Sequence, residues 1–121
     1  TTQAELLTTY RAQKGQLVMI LWGPDFPDPD ANVGPWTDYA AKSIAYRNGW
    51  DDKIALKGRD AALITDPAKR TAAYKEITDY VLHNGPYVVL YQPTELFGLR
   101  SNVKGFAWNP MGWLDFASIT K

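Results

Sequence analysis

The chain predicts an α/β fold, and three features predict it. Leu17–Trp22 is apolar at every position and has the length of a strand. Tyr87–Tyr91 repeats that pattern. Between them lies sequence with helix caps and helical spacing of apolar residues, the order expected of an α/β unit. An unbroken apolar run, as opposed to an alternating one, is the pattern of a strand covered on both faces. The intervening helices leave room for a parallel pairing.

Read in order, the first element is a helix starting at Thr2, where Thr2 and Glu5 form a capping box. Leu6, Leu7 and Tyr10 give it an apolar stripe, and Gly15 is its expected stop. The strand Gln16–Trp22 follows. Gly23–Asp30 then carries Pro24, Pro27 and Pro29, which rules out a regular helix or central strand and predicts a stiff loop. Ala31–Tyr46 carries Gly34–Pro35 and several aromatics, and its pattern assigns no element. Asp51–Leu63 reads as a helix weakened by Gly58.

The clearest helix begins at Asp66–Pro67, an acidic N-cap followed by proline at the first helical position. Ala68, Ala72, Ile77 and Val81 mark its apolar face, and Gly85–Pro86 stops it near Asn84. Tyr87–Tyr91 is the second buried strand, and Glu95–Arg100 a third or its continuation beyond Pro93. The tail is rich in aromatics and turn residues (Phe106, Trp108, Pro110, Gly112, Trp113, Phe116) and shows neither helical nor strand patterning. Such a tail is expected to pack on polypeptide outside this chain.

Bulk properties narrow the function. The 121 residues fit one domain by length, and 45% are hydrophobic. The 13 basic and 13 acidic residues cancel and are interspersed, which argues against nucleic acid as a partner. No apolar run approaches the roughly 18 residues that span a bilayer. There is no cysteine, so disulfides, thiolate metal sites and cysteine nucleophiles are excluded. The start Thr-Thr-Gln-Ala-Glu has no features of a signal peptide, which suggests processing or excision from a longer protein.

Four segments, in order, carry a resemblance. Leu21-Trp-Gly-Pro-Asp-Phe-Pro-Asp-Pro29 looks like a strand running into an acidic loop of the form W-x-x-D-[YFN]-x-[DE]-P. Asp66-Pro-Ala-Lys-Arg70 followed by Tyr74-Lys-Glu76 looks like a D-P-x-x-R-x-x-x-Y helix. Gly85-Pro-Tyr-Val-Val-Leu-Tyr91 and Val103-Lys-Gly-Phe106 complete the set. Together they resemble the C-terminal end of solute-binding protein family 5, the oligopeptide- and dipeptide-binding proteins of ABC importers.

The resemblance implies part of one lobe of a two-lobed, type II periplasmic-binding-protein-like fold, ending in a segment that belongs to the other lobe. Residues 1–92 would be the C-terminal part of the second ligand-binding lobe, and residues 93–121 the crossing and return segment to the first. It implies an extracytoplasmic location, a peptide or small-molecule ligand and permease subunits in the membrane as partners. It calls for no cofactor and no catalytic or metal-ligating residue. Non-native self-association is expected of such a piece.

By that resemblance Asp25 is the first ligand-binding candidate, pairing with a peptide α-ammonium. It follows a buried strand, where open α/β sheets commonly place ligands. A charged amine in a closed cleft needs an ionised, hydrogen-bonded partner. The alternative role for Asp25 is a turn cap. Trp22 would offer an apolar wall with one donor, or be a core residue at a strand end. Phe26 would flank the pocket, and Tyr91, Gln92 and Pro93 would contact ligand at the lobe crossing. Pro24 departs from the small or polar residue that relatives carry at that position. Because some family members bind sugars or nickel chelates, those cargoes remain alternatives.

Other chemistries find less support. Asp25, Asp28 and Asp30 do not fit a calcium loop, since Pro29 and Ala31 interrupt it. The single histidine, His83, falls at a helix C-terminus, where a charge-stabilising role is expected. No phosphate loop, nucleophile elbow or zinc-helix motif occurs. A small carbohydrate-active enzyme with an Asp25–Asp115 dyad is the alternative enzymatic reading, and nothing in the sequence brings those two acids together. An interaction module using the aromatic tail is the third class.

Overall fold

A computed structural model describes residues 2–109 and 111–121, so Thr1 and the tail's Pro110 lie outside the described residues. The chain divides into two units, Thr1–Val89 and Leu90–Lys121.

The first unit is helical, and its helices begin where side chains satisfy the first backbone donors. Helix α1 (Gln3–Arg11) opens with the expected capping box. Glu5 N donates to Thr2 Oγ1 at 3.3 Å, and Thr2 N donates back to Glu5 Oε2 at 2.8 Å. These bonds from Thr2 hold the Glu5 carboxyl below its ordinary range. The helix stops before the expected Gly15: Gln13 turns the chain with φ 57°.

Helix α2 (Asp30–Thr37) forms where the sequence assigned nothing. Asp28 Oδ1 accepts from Asp30 N at 2.8 Å and starts it. Pro35 inside it removes a backbone donor. Burial of Ala31, Val33 and Thr37 sets against that loss, and Thr37 Oγ1 donates to Val33 O at 2.7 Å. A 3-10 turn (Tyr39–Ala41) and the short helix α3 (Ile44–Arg47) follow, with Ile44 and Ala45 fully covered.

Helix α4 (Ile54–Ala62) packs on α2 and on α5 (Pro67–Asn84). Gly58 is the reason α2 comes so close. A Cβ there would lie 3.1 Å from Thr37 Oγ1 and 3.4 Å from Val33 Cγ1. The glycine that weakens α4 as an isolated helix is what lets it seat. Helix α5 has the predicted cap, with Lys69 N donating to Asp66 Oδ1 at 3.0 Å, and ends at Asn84 as expected. Its buried stripe is Tyr74, Ile77 and Val81, flanked by Ala73 and Tyr80. Ala68 and Ala72, expected on that face, are exposed. The core joins Val33, Ile54, Ala61, Tyr74, Ile77 and Val81, with Trp50 and Tyr87 packed against it.

Tyr87 sits between two indoles, its ring centroid 4.7 Å from that of Trp36 and 5.4 Å from that of Trp50. Both contacts are edge-on, as ring quadrupoles prefer. Its hydroxyl donates to Trp36 O at 3.0 Å. Burial, with the neighbouring Tyr10 adding a little, pushes that hydroxyl well above the ordinary tyrosine range.

The expected strands are the main correction. Among the described residues, Gln16–Trp22, Tyr87–Tyr91 and Glu95–Arg100 form no strand, so the α/β fold class reduces here to helices and one isolated bridge. A strand exists only as one side of a ladder, and among the described residues these segments meet no partner. The first still has a strand's periodicity. Val18, Ile20 and Trp22 are half-buried, while Leu17, Met19 and Leu21 are 95%, 78% and 79% exposed. One face is therefore partly covered and the other bare, whereas the sequence pattern predicted cover on both. Val88–Tyr91 is likewise exposed.

The second unit is held by few contacts. Lys104 and Thr120 form an antiparallel bridge, with Lys104 N to Thr120 O at 2.9 Å and Thr120 N to Lys104 O at 3.1 Å. Asp115 caps a 3-10 turn over Phe116–Ser118, donated to by Ala117 N at 3.0 Å. Phe97 gathers Phe106 and Trp108 at centroid distances of 5.1 and 4.7 Å. Gly105 has φ 73°, and a Cβ on it would lie 1.9 Å from Ser118 O, so no other residue fits.

Three outcomes follow from this packing. Gly58→Val is expected to cost about 1–3 kcal/mol by prising α2 from α4, read as an earlier urea midpoint. Gly105→Ala is expected to abolish the Lys104–Thr120 bridge, read as faster amide exchange at both residues. Tyr87 holds its proton more tightly folded than unfolded, so its contribution is complete at neutral pH. It drains away as pH rises beyond the ordinary tyrosine value of about 10. Thermal midpoints measured from pH 8 to 11 are expected to fall in wild type and to fall less steeply in Tyr87→Phe.

Candidate functional site

The motif loop is built between two anchors. Upstream, Trp22 Nε1 donates to Asn32 Oδ1 on α2 at 3.2 Å, and its ring meets Trp36 edge-on with centroids 6.5 Å apart. Downstream, Asp28 is tied in three ways. Its backbone N–H donates to Phe26 O at 2.8 Å, its carbonyl accepts from Ala31 N at 3.0 Å, and its carboxylate faces Arg70 of α5.

That last contact is a two-point fork. Arg70 Nη1 donates to Asp28 Oδ2 at 3.0 Å and Nη2 to Oδ1 at 2.8 Å. Nη2 also donates to Tyr74 Oη at 3.2 Å, and the guanidinium lies over the Tyr74 ring at 4.9 Å. Both partners are half-buried. The planar fork matches a carboxylate in a way that lysine does not. Hydrogen bonds from Arg70, then from Asp30 N, hold the Asp28 carboxyl below its ordinary range. The arginine in turn is held above its own.

Between the anchors run Gly23–Pro27, with Pro24 and Pro27 fixing two backbone torsions. Asp25 stands in this span, exposed to solvent, and Phe26 beside it is about half exposed. Trp22 is half-buried. Trp22, Asp25 and Phe26 thus share one braced loop. Tyr91, Gln92 and Pro93 lie in the other unit, all exposed, with Tyr91 at 77%.

Sequence reading missed the residues that brace the loop: Asn32, Trp36, Arg70, Tyr74 and Tyr87. Arg70 and Tyr74 stood within a quoted motif and Asp28 within another, but no local pattern joins positions 42 residues apart. His83, placed by sequence at a helix end, lies near the C-terminus of α5 with Nδ1 2.6 Å from Asp79 O.

No family model matches the chain, and no solved structure matches it. A protein of Escherichia coli (strain K12) named probable D,D-dipeptide-binding periplasmic protein DdpA is 33% identical over 95 residues, covering 74% of this chain and 18% of the relative. Di/tripeptide-binding protein 4 of Pseudomonas aeruginosa (strain UCBPP-PA14) is 32% identical over 119 residues, covering 96% and 22%. Di/tripeptide-binding protein 2 of the same strain is 26% identical over 121 residues, covering 95% and 22%. The chain spans about a fifth of the length of these relatives. Nearly the whole chain is matched by proteins of the kind its four motifs resemble, and it belongs to solute-binding protein family 5.

Proposed function

We propose that this chain is the C-terminal part of an extracytoplasmic binding protein that captures short peptides and delivers them to an ABC permease without altering them. The observation that carries the reading is the match of 74–96% of the chain to proteins named for binding dipeptides and tripeptides. The bare face of Leu17, Met19 and Leu21 supports a further part of it. In the whole protein these residues belong to an α/β sheet of a two-lobed, type II fold, completed by polypeptide from elsewhere. The division of the chain near Val89 supports a lobe crossing close to Gln92–Pro93, with residues 93–121 returning to the first lobe.

In this reading Asp25 receives the peptide's α-ammonium. Its carboxylate is exposed on a braced loop, which leaves its oxygens free for a ligand. Closure of the lobes removes water and strengthens the pair. Trp22 and Phe26 form the apolar side, and Tyr91, Gln92 and Pro93 are further ligand-contact candidates.

In the whole protein, Asp25→Asn is expected to weaken a free-amine dipeptide by about 100-fold or more, the consequence of leaving one charge of a buried pair unmatched. Isothermal titration calorimetry reads this directly, with an N-acetylated dipeptide as the control that loses nothing further. Undiminished binding by the variant would remove Asp25 from the site. Preference for a sugar or a nickel chelate would change the cargo. Glycoside hydrolysis abolished by one acid substitution would make the protein an enzyme.

A further inference from the structure

We infer that Arg70 is a positioning residue for ligand binding: through its fork to Asp28 it fixes the loop that carries Asp25. The inference rests on the peptide-binding reading above and deepens it. The geometry behind it is the pair of anchors on either side of Gly23–Pro27. Trp22 is tied to α2 through Asn32, and Asp28 is tied to α5 through Arg70. Five residues with two prolines have little slack between fixed ends, so the Asp25 backbone is set by those ends. Asp25 itself is exposed, and the bonds that place it belong to its neighbours.

Arg70 is suited to the task because α5 is the longest helix and is buried through Tyr74, Ile77 and Val81. Its guanidinium is oriented a second time by Tyr74, one turn further along the same helix. A carboxylate meant for a ligand gains affinity when its position is set beforehand, since the ordering cost is not charged to binding. The same pair joins the acidic-loop motif to the D-P-x-x-R motif, two segments with no sequence proximity.

The test uses the whole protein and two readouts. Arg70→Gln and Asp28→Asn are each expected to speed amide hydrogen exchange at Asp28, Asp30 and Ala31, whose N–H groups are bonded within the loop, while α4 stays protected. Each is expected to weaken a free-amine dipeptide by about tenfold, within the range for residues that share one network. Combined, they are expected to lose no more than either alone. In an Asp25→Asn background, Arg70→Gln is expected to cost nothing more, because its effect passes through Asp25. Arg70→Lys, which keeps the charge but not the fork, is expected to recover only part of the loss.

Unchanged exchange in the loop would overturn the inference. So would an equal loss of affinity from Arg70→Gln with Asp25 present or replaced. If Arg70→Gln does not fold, Asp28→Asn decides, since it breaks the same fork from the loop side. Should the wild-type protein bind no peptide at all, the peptide reading fails by itself. The exchange measurement then still decides whether Arg70 holds the loop.

Discussion

Burial of one stripe of α5 organises the first unit. Ile77 and Val81 face Ile54 and Ala61 from α4 and Val33 from α2, and this cluster excludes water from the middle of the helical bundle. Each neighbouring feature needs that stripe in place. The chain leaving α5 delivers Tyr87 to the pocket between Trp36 and Trp50. The first turns of the same helix deliver Arg70 to Asp28. One helix therefore supports the hydrophobic centre at its C-terminal half and the motif loop at its N-terminal half.

Apolar burial and polar order have different tasks here. Packing of Val33, Gly58 and Thr37 brings α2 and α4 together but has little directional content. Direction comes from Asp side chains at element boundaries. Asp28, Asp52, Asp66 and Asp115 each accept a backbone N–H a few residues on and so decide where a turn or helix begins. Asp38 does this for Ala40 and also accepts two bonds from Arg59. Asp25, in the same stretch of chain, is exposed on the braced loop, and that contrast with its neighbours is what marks it out.

Legibility in the sequence followed the range of the interaction. The starts of α1 and α5 and the end of α5 were readable because Thr2 with Glu5, Asp66 with Pro67, and Gly85 with Pro86 act within a few residues. Helix α2 was not readable. Its Gly34–Pro35 opposes helix locally, and the burial of Val33 and Thr37 against α4 that outweighs it lies some twenty positions away. The strands failed for a related reason. Leu17–Trp22 has a strand's composition and keeps its alternation of exposure, but a ladder requires a second backbone. The stiff, proline-rich loop that carries Asp25 was legible, while the fork from Arg70 that steadies it was not.

The aromatic contacts around Tyr87 have an optical consequence. Trp22, Trp36, Tyr87 and Trp50 form a continuous string in which each ring touches the next edge-on. Light absorbed by the phenol at the middle passes to an indole on either side, and excitation moves between Trp36 and Trp22 across a few ångströms. Trp22 is one of five tryptophans, so the difference in emission between the wild type and Trp22→Phe reports on the surroundings of the ring at the start of the motif loop, making that loop visible without a dye.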